Sequence, residues 1–142
     1  MSADLFADPE VCQAVLMDYY RNPRCAGTCD PVTHTAEGRN PACGDLVKLS
    51  FEMRDDRILQ ARTTGAGCAV SQASASLLME QLQGKTLTEA REVLRELDDL
   101  LNQSGGDPDI LDRLLVLRMI SGNPARVRCA QAAREAALSV LA

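Results

Sequence analysis

Six cysteines, at positions 12, 25, 29, 43, 68 and 129, carry most of the chemistry open to this chain. One histidine and four aromatic residues accompany them, and there is no tryptophan. Three of the six sit in distinctive surroundings. Asn40-Pro41-Ala42-Cys43-Gly44-Asp45 puts a thiol and a carboxylate two residues apart in a tight turn. Gly65-Ala66-Gly67-Cys68 precedes a run of small residues with helical character. A thiol in the first turn of a helix is favoured as thiolate by the macrodipole and the free N–H groups there. Arg126-Val127-Arg128-Cys129-Ala130 places a third thiol in the early turns of the last predicted helix, beside two arginines. Taken alone, the Gly65–Cys68 segment fits an inert buried thiol equally well.

Three thiolates and one carboxylate make a complete tetrahedral set for zinc, with bonds of about 2.3 Å to sulfur and about 2.0–2.2 Å to oxygen. A soft sulfur site suits zinc or iron–sulfur chemistry and excludes magnesium or calcium. The filled set would be negatively charged, and Arg126 or Arg128 could offset that charge and hold the thiolates ionised.

The elements that must bring these residues together can be read in order. Asp8-Pro9-Glu10 predicts an N-cap and a first helix running to about Tyr20, stopped by Asn22-Pro23. Cys25 to Pro31 reads as a loop, and His34 to Arg39 as a short strand. From Leu46 to Met53 apolar and polar residues alternate, with Val47, Leu49, Phe51 and Met53 on one face, the period of a half-buried strand. Asp55-Asp56 makes the turn and Ile58 to Thr64 returns. The glycine turn then leads into a helix from Ala69 to Gln83, with Gly84 as its C-cap. Thr86-Leu87-Thr88-Glu89 predicts a capping box and a helix to about Asn102. A further helix is expected over Asp109 to Ile120, and an alanine-rich last helix after Asn123-Pro124,. Strands first and helices afterwards predict an α+β fold: about three short antiparallel strands, with helices packed on one face.

At 142 residues the chain is expected to form one domain over 1–142,. No apolar run reaches the length of a membrane span and no signal-peptide pattern opens the chain, so a cytoplasmic location and no membrane partner are expected. Net charge is −5, without a basic stripe, which argues against nucleic acid as a partner,. Reducing surroundings would leave the cysteines to metal, redox chemistry or burial. Cys12 falls in the apolar pattern of the first helix and is read as core; Cys25 and Cys29 are read as incidental loop thiols. His34 is read as a satisfied strand residue rather than a ligand.

Asn40-Pro41-x-Cys43-Gly44-Asp45, Gly65-x-Gly67-Cys68-Ala69-x-Ser71-x-Ala73-Ser74-Ala75-Ser76 and Arg126-x-x-Cys129-Ala130 resemble the three signature segments of the NifU/IscU-like iron–sulfur assembly proteins. Asp18-Tyr19-Tyr20-Arg21-Asn22-Pro23-Arg24 also resembles that family, with Tyr19 where a histidine is usual. The resemblance implies an α+β fold with Cys43, Asp45, Cys68 and Cys129 at one metal site. Scaffold-type members carry a histidine just before the third cysteine, where Arg128 stands here, and a Leu-Pro-Pro-Val-Lys-type segment that the Ile120 to Ala125 region lacks. Sixty residues separate Cys68 from Cys129, about one helix more than in those scaffolds. These features resemble the SufU branch, although its frequent tryptophan after the third cysteine is replaced by Ala133-Arg134. That branch implies zinc at the Cys3Asp site, sulfur accepted from a cysteine desulfurase of the SUF type, and delivery to the downstream SUF assembly complex. Cys43, in a loop that can move, is the expected acceptor, and Arg126 the residue expected to steady its thiolate. The alternative is a scaffold on which a [2Fe–2S] cluster is built and passed on, using the same four residues.

Overall fold

A computed structural model describes residues 3–142. After a 3₁₀ turn at Ala3–Ala7, helix α1 (Pro9–Arg21) starts where Asp8 accepts the Glu10 N–H at 2.9 Å and Pro9 occupies the first helical position,. It buries Cys12, Leu16 and Tyr19, and the Cys12 thiol donates to the Phe6 carbonyl at 3.2 Å, a core role as expected.

Three antiparallel strands follow in the order β1 (His34–Asn40), β2 (Asp45–Arg54), β3 (Arg57–Ala66). On β2, Val47, Leu49 and Phe51 are buried and Lys48 is exposed, while an irregularity at Glu52/Met53 leaves Met53 only half-buried. Asp55 and Asp56 both take positive φ, +51° and +63°, the geometry of a two-residue hairpin turn whose twist matches the strands,.

The helices cover one face of this sheet, as the α+β reading requires. Helix α2 (Ala69–Leu82) packs on β3 and on α1, and α5 (Pro124–Leu141) packs on β1, β2 and α2. Small residues let these layers close. Ala130, Ala132, Ala133, Ala136 and Ala137 of α5 are all buried. A Cβ at Gly38 of β1 would overlap the Ala132 carbonyl oxygen and stand 2.8 Å from its carbon, so strand and helix meet backbone to backbone. The other face is crossed by residues 25–33. Thr63 N–H donates to the Cys25 carbonyl at 2.8 Å and its carbonyl accepts from Gly27 at 3.0 Å. The segment then anchors under β2, where Cys29 N–H donates to Ser50 Oγ at 2.9 Å and the Cys29 thiol to the Ser50 carbonyl at 3.3 Å.

Helix α3 (Leu87–Leu101) begins with the complete Thr86/Glu89 capping box,. The helix expected over Asp109 to Ile120 is replaced by one α-turn, α4 (Pro108–Leu111), and a 3₁₀ helix at Asp112–Ile120. Asp112 sits at φ +49°, which breaks the α-helical path after one turn,. The tighter winding then buries Leu114, Leu115, Val116, Leu117 and Ile120 together. Among the described residues no helix is long and apolar enough to cross a membrane.

Candidate metal centre

Four side chains with metal-binding chemistry meet at one end of the fold, and each arrives by a different local device. Cys43 sits in the turn joining β1 to β2. That turn is closed by Cys43 N–H donating to the Asn40 carbonyl at 3.2 Å and by Gly44 at φ +70°,. Its thiol is exposed. Asp45 opens β2 and is 3% exposed. Its Oδ1 accepts the Cys68 N–H at 2.9 Å, and its Oδ2 accepts from Asn40 Nδ2 at 3.3 Å and from the Cys68 thiol at 3.8 Å. Cys68 is the N-cap of α2, its sulfur accepting the Ser71 N–H at 3.4 Å. Cys129 lies in the second turn of α5, which Asn123 caps by accepting the Arg126 N–H at 3.2 Å. It is buried, with Asn40 Nδ2 3.4 Å from its sulfur.

Donor atoms of Cys43, Asp45 and Cys129 lie within 4.8 Å of one another, a group that could hold a metal ion. Cys68 joins them through its contact with Asp45. Cys43, Cys68 and Cys129 line a cleft of about 330 Å³ whose walls include Leu16 and Met17 from α1, Val70 from α2 and Arg126 from α5. Both arginines weighed from the sequence are exposed; Arg126 borders this cleft and Arg128 does not.

The charges follow from these contacts. Burial works to raise the Asp45 carboxyl, but the Cys68 N–H, the Cys129 and Cys68 thiols and the Asn40 amide outweigh it and hold the group below the usual carboxylate range,. Burial, followed by the Asp45 carboxylate and the Cys68 and Cys43 thiols, pushes the Cys129 thiol far up. An ionised Asp45 carboxylate beside a Cys129 thiol that resists ionising is a site short of positive charge. Three sulfurs and one carboxylate oxygen fit a four-coordinate zinc ion by number and by softness.

The remaining thiols and the histidine stand elsewhere. Cys12 is in the core, Cys25 is half-buried on the β3 edge, Cys29 is buried under β2, and His34 is exposed with its Nδ1 2.9 Å from Thr33 Oγ1. Asn40 heads the first motif of the sequence, which assigns it no role of its own. An asparagine before a proline reads as a turn former, and only the β1–β2 register, which sets it opposite Asp45, reveals its place in the site.

A family model described as the NifU-like N terminal domain matches residues 11–112, which takes in Cys43, Asp45 and Cys68 and stops short of Cys129. The chain is 32% identical over 117 residues to the zinc-dependent sulfurtransferase SufU of Bacillus subtilis (strain 168), covering 82% of this chain and 79% of that protein. It is equally 32% identical, over 114 residues, to the iron–sulfur cluster assembly scaffold protein IscU of Thermotoga maritima, covering 80% of each. A crystal structure from Fervidobacterium islandicum AW-1, described as a candidate iron–sulfur cluster assembly scaffold protein for the SUF system, superposes with a TM-score of 0.85 at 30% identity. It covers 90% of this chain and 94% of its own.

Proposed function

The chain belongs to the NifU-like N-terminal domain family, which includes the iron–sulfur cluster assembly proteins IscU and SufU, and from that premise we propose that it accepts persulfide sulfur from a cysteine desulfurase at Cys43 and passes it into cluster assembly. One observation carries this reading: among the four clustered donors, Cys43 alone is exposed and sits in a glycine turn, whereas Asp45 and Cys129 are buried and Cys68 is tied to a helix N-terminus.

Zinc held by Cys43, Asp45, Cys68 and Cys129 would supply the positive charge that keeps the thiols as thiolates and ties the site to folding. The transfer itself needs only this chain's thiolate and the donor's persulfide. Cys43 sulfur attacks the outer sulfur of the desulfurase cysteine persulfide. A new S–S bond forms at Cys43, the donor's S–S bond breaks, and the electron pair leaves on the donor cysteine as thiolate. No electrons are gained or lost overall. Arg126, on the cleft wall and in no ion pair among the described residues, steadies the anionic sulfur as it moves. Leu16, Met17 and Val70 make the wall beside it apolar.

The test is mass spectrometry after mixing the protein with a SUF-type desulfurase and cysteine. One added sulfur should appear on Cys43 and be lost in Cys43→Ser; an added sulfur on Cys25 or Cys29, with Cys43→Ser fully active, would overturn the reading. A second reading, a scaffold that assembles a [2Fe–2S] cluster as its cargo, is favoured by the equal identity to the Thermotoga scaffold. Protein isolated without reconstitution separates them: colourless with one zinc for the carrier, brown with iron and sulfide for the scaffold.

A further inference from the structure

We propose that Asn40 is a positioning residue that fixes Asp45 and Cys129 as the permanent part of the donor set and so leaves Cys43 as the exchangeable member; this rests on reading Cys43, Asp45, Cys68 and Cys129 as metal ligands. Asn40 ends β1 directly opposite Asp45 and is 5% exposed. A buried amide must place both its N–H donors. Here both go to the site, one to Asp45 Oδ2 at 3.3 Å and one to Cys129 Sγ at 3.4 Å. An amide suits that position because it cannot ionise, cannot compete as an anionic ligand, and donates to both a carboxylate and a sulfur that would each be anionic when they hold a metal.

Asn40 treats the third donor differently. Its carbonyl accepts the Cys43 N–H and so shapes the turn, but its side chain does not reach the Cys43 sulfur. Cys68 is held independently, by the Ser71 N–H. Among the described residues no amide donates to the Cys43 sulfur, and this is the exposed thiol. Three donors are therefore anchored from outside the metal and one is not. Hydrogen-bond partners behind metal ligands orient them, and their loss typically costs about 10–100-fold in metal affinity.

The experiment uses the full chain with Asn40→Leu, which keeps the volume without a donor, and Asn40→Asp, which replaces the donor by an acceptor. Cobalt(II) is the probe. Affinity is read by chelator competition, and each cysteine of the cobalt-loaded protein is followed by iodoacetamide labelling and peptide mass spectrometry. In the unmodified chain Cys43 should label first and Cys129 stay protected. Both variants should bind cobalt about 10–100-fold more weakly and label Cys129 readily, while Cys12 and Cys29, buried and outside the donor set, stay protected and report an intact fold. Asn40→Ala replaces either variant that exposes Cys12 and Cys29; exposure of both in all three would assign Asn40 to the fold itself and overturn the proposal. Unchanged affinity and unchanged Cys129 protection in Asn40→Leu would overturn it too. Failure of the ligand reading looks different: the unmodified chain would take up no cobalt, or its thiolate-to-cobalt absorption would be untouched by Cys129→Ser.

Discussion

The Gly67 backbone lies directly against Asp45: a Cβ at position 67 would stand 2.9 Å from the Asp45 Cα and overlap its Oδ1. Gly67 also holds φ +146°, a conformation L side chains rarely adopt,. Gly67→Ala should therefore push the Asp45 carboxylate off its position and weaken metal binding by about tenfold or more. Gly44→Ala is the comparison. At φ +70° with nothing within 4 Å of a new Cβ, it should cost only the left-handed backbone strain, about 1–2 kcal/mol. Zinc titration of the two variants beside the unmodified chain checks both expectations, and equal affinity in Gly67→Ala would remove Asp45 from the donor set.

Metal removal should lower stability, because a donor set that exists only in the folded chain couples binding to folding. At a hundredfold excess over Kd, the bound ion contributes about 2.7 kcal/mol, on the order of 10 °C in melting temperature for a chain of this size. Cys68→Ser and Cys129→Ser should melt like chelated protein whether or not zinc is present. Cys43→Ser should keep part of the zinc-dependent rise, since the three anchored donors remain. Scanning calorimetry with zinc and with chelator separates these outcomes.

Zinc uptake should release protons, and the sign is set by Cys129. Burial, the Asp45 carboxylate and the neighbouring thiols raise its thiol, so near neutral pH the metal-free site holds that proton and binding as thiolate must displace it. Asp45 is already ionised and releases none. The metal-free fold keeps the stability of the raised thiol below the unfolded value of about 8.5 and loses it as pH climbs beyond. The zinc-loaded protein should show the opposite trend across neutral pH, tightening as pH rises. Calorimetric zinc titrations in two buffers of different ionisation heat count the protons, and a buffer-independent heat would refute the assignment.

Much of this arrangement is legible in local chemistry, because local chemistry decides it. Asp8, Thr86 and Asn123 mark helix starts by capping, and each cap is present. The Val47, Leu49, Phe51 alternation marks the buried face of β2 because a strand has only two faces. What escapes is decided at a distance. Asp112 reads as an ordinary helical residue, yet it turns to positive φ so that Leu114 to Leu117 can all be buried. Cys29 looks like a loop thiol until the segment is seen to pass beneath Ser50. The choice between Arg126 and Arg128 depends on which way α5 is rotated, and the alanines that set that rotation are too alike to show it in advance. Asn40 acquires its role only from strand register.

The contact between Gly38 and Ala132 behaves as a hinge pin without play. Gly38 lies two residues before Asn40 and Ala132 three residues after Cys129, and main chain meets main chain there with no side chain to yield. Helix α5 therefore cannot come closer to β1 at that point. The Cys43 turn has open space around Gly44. The site thus joins a frame without slack to one four-residue turn that has room around it.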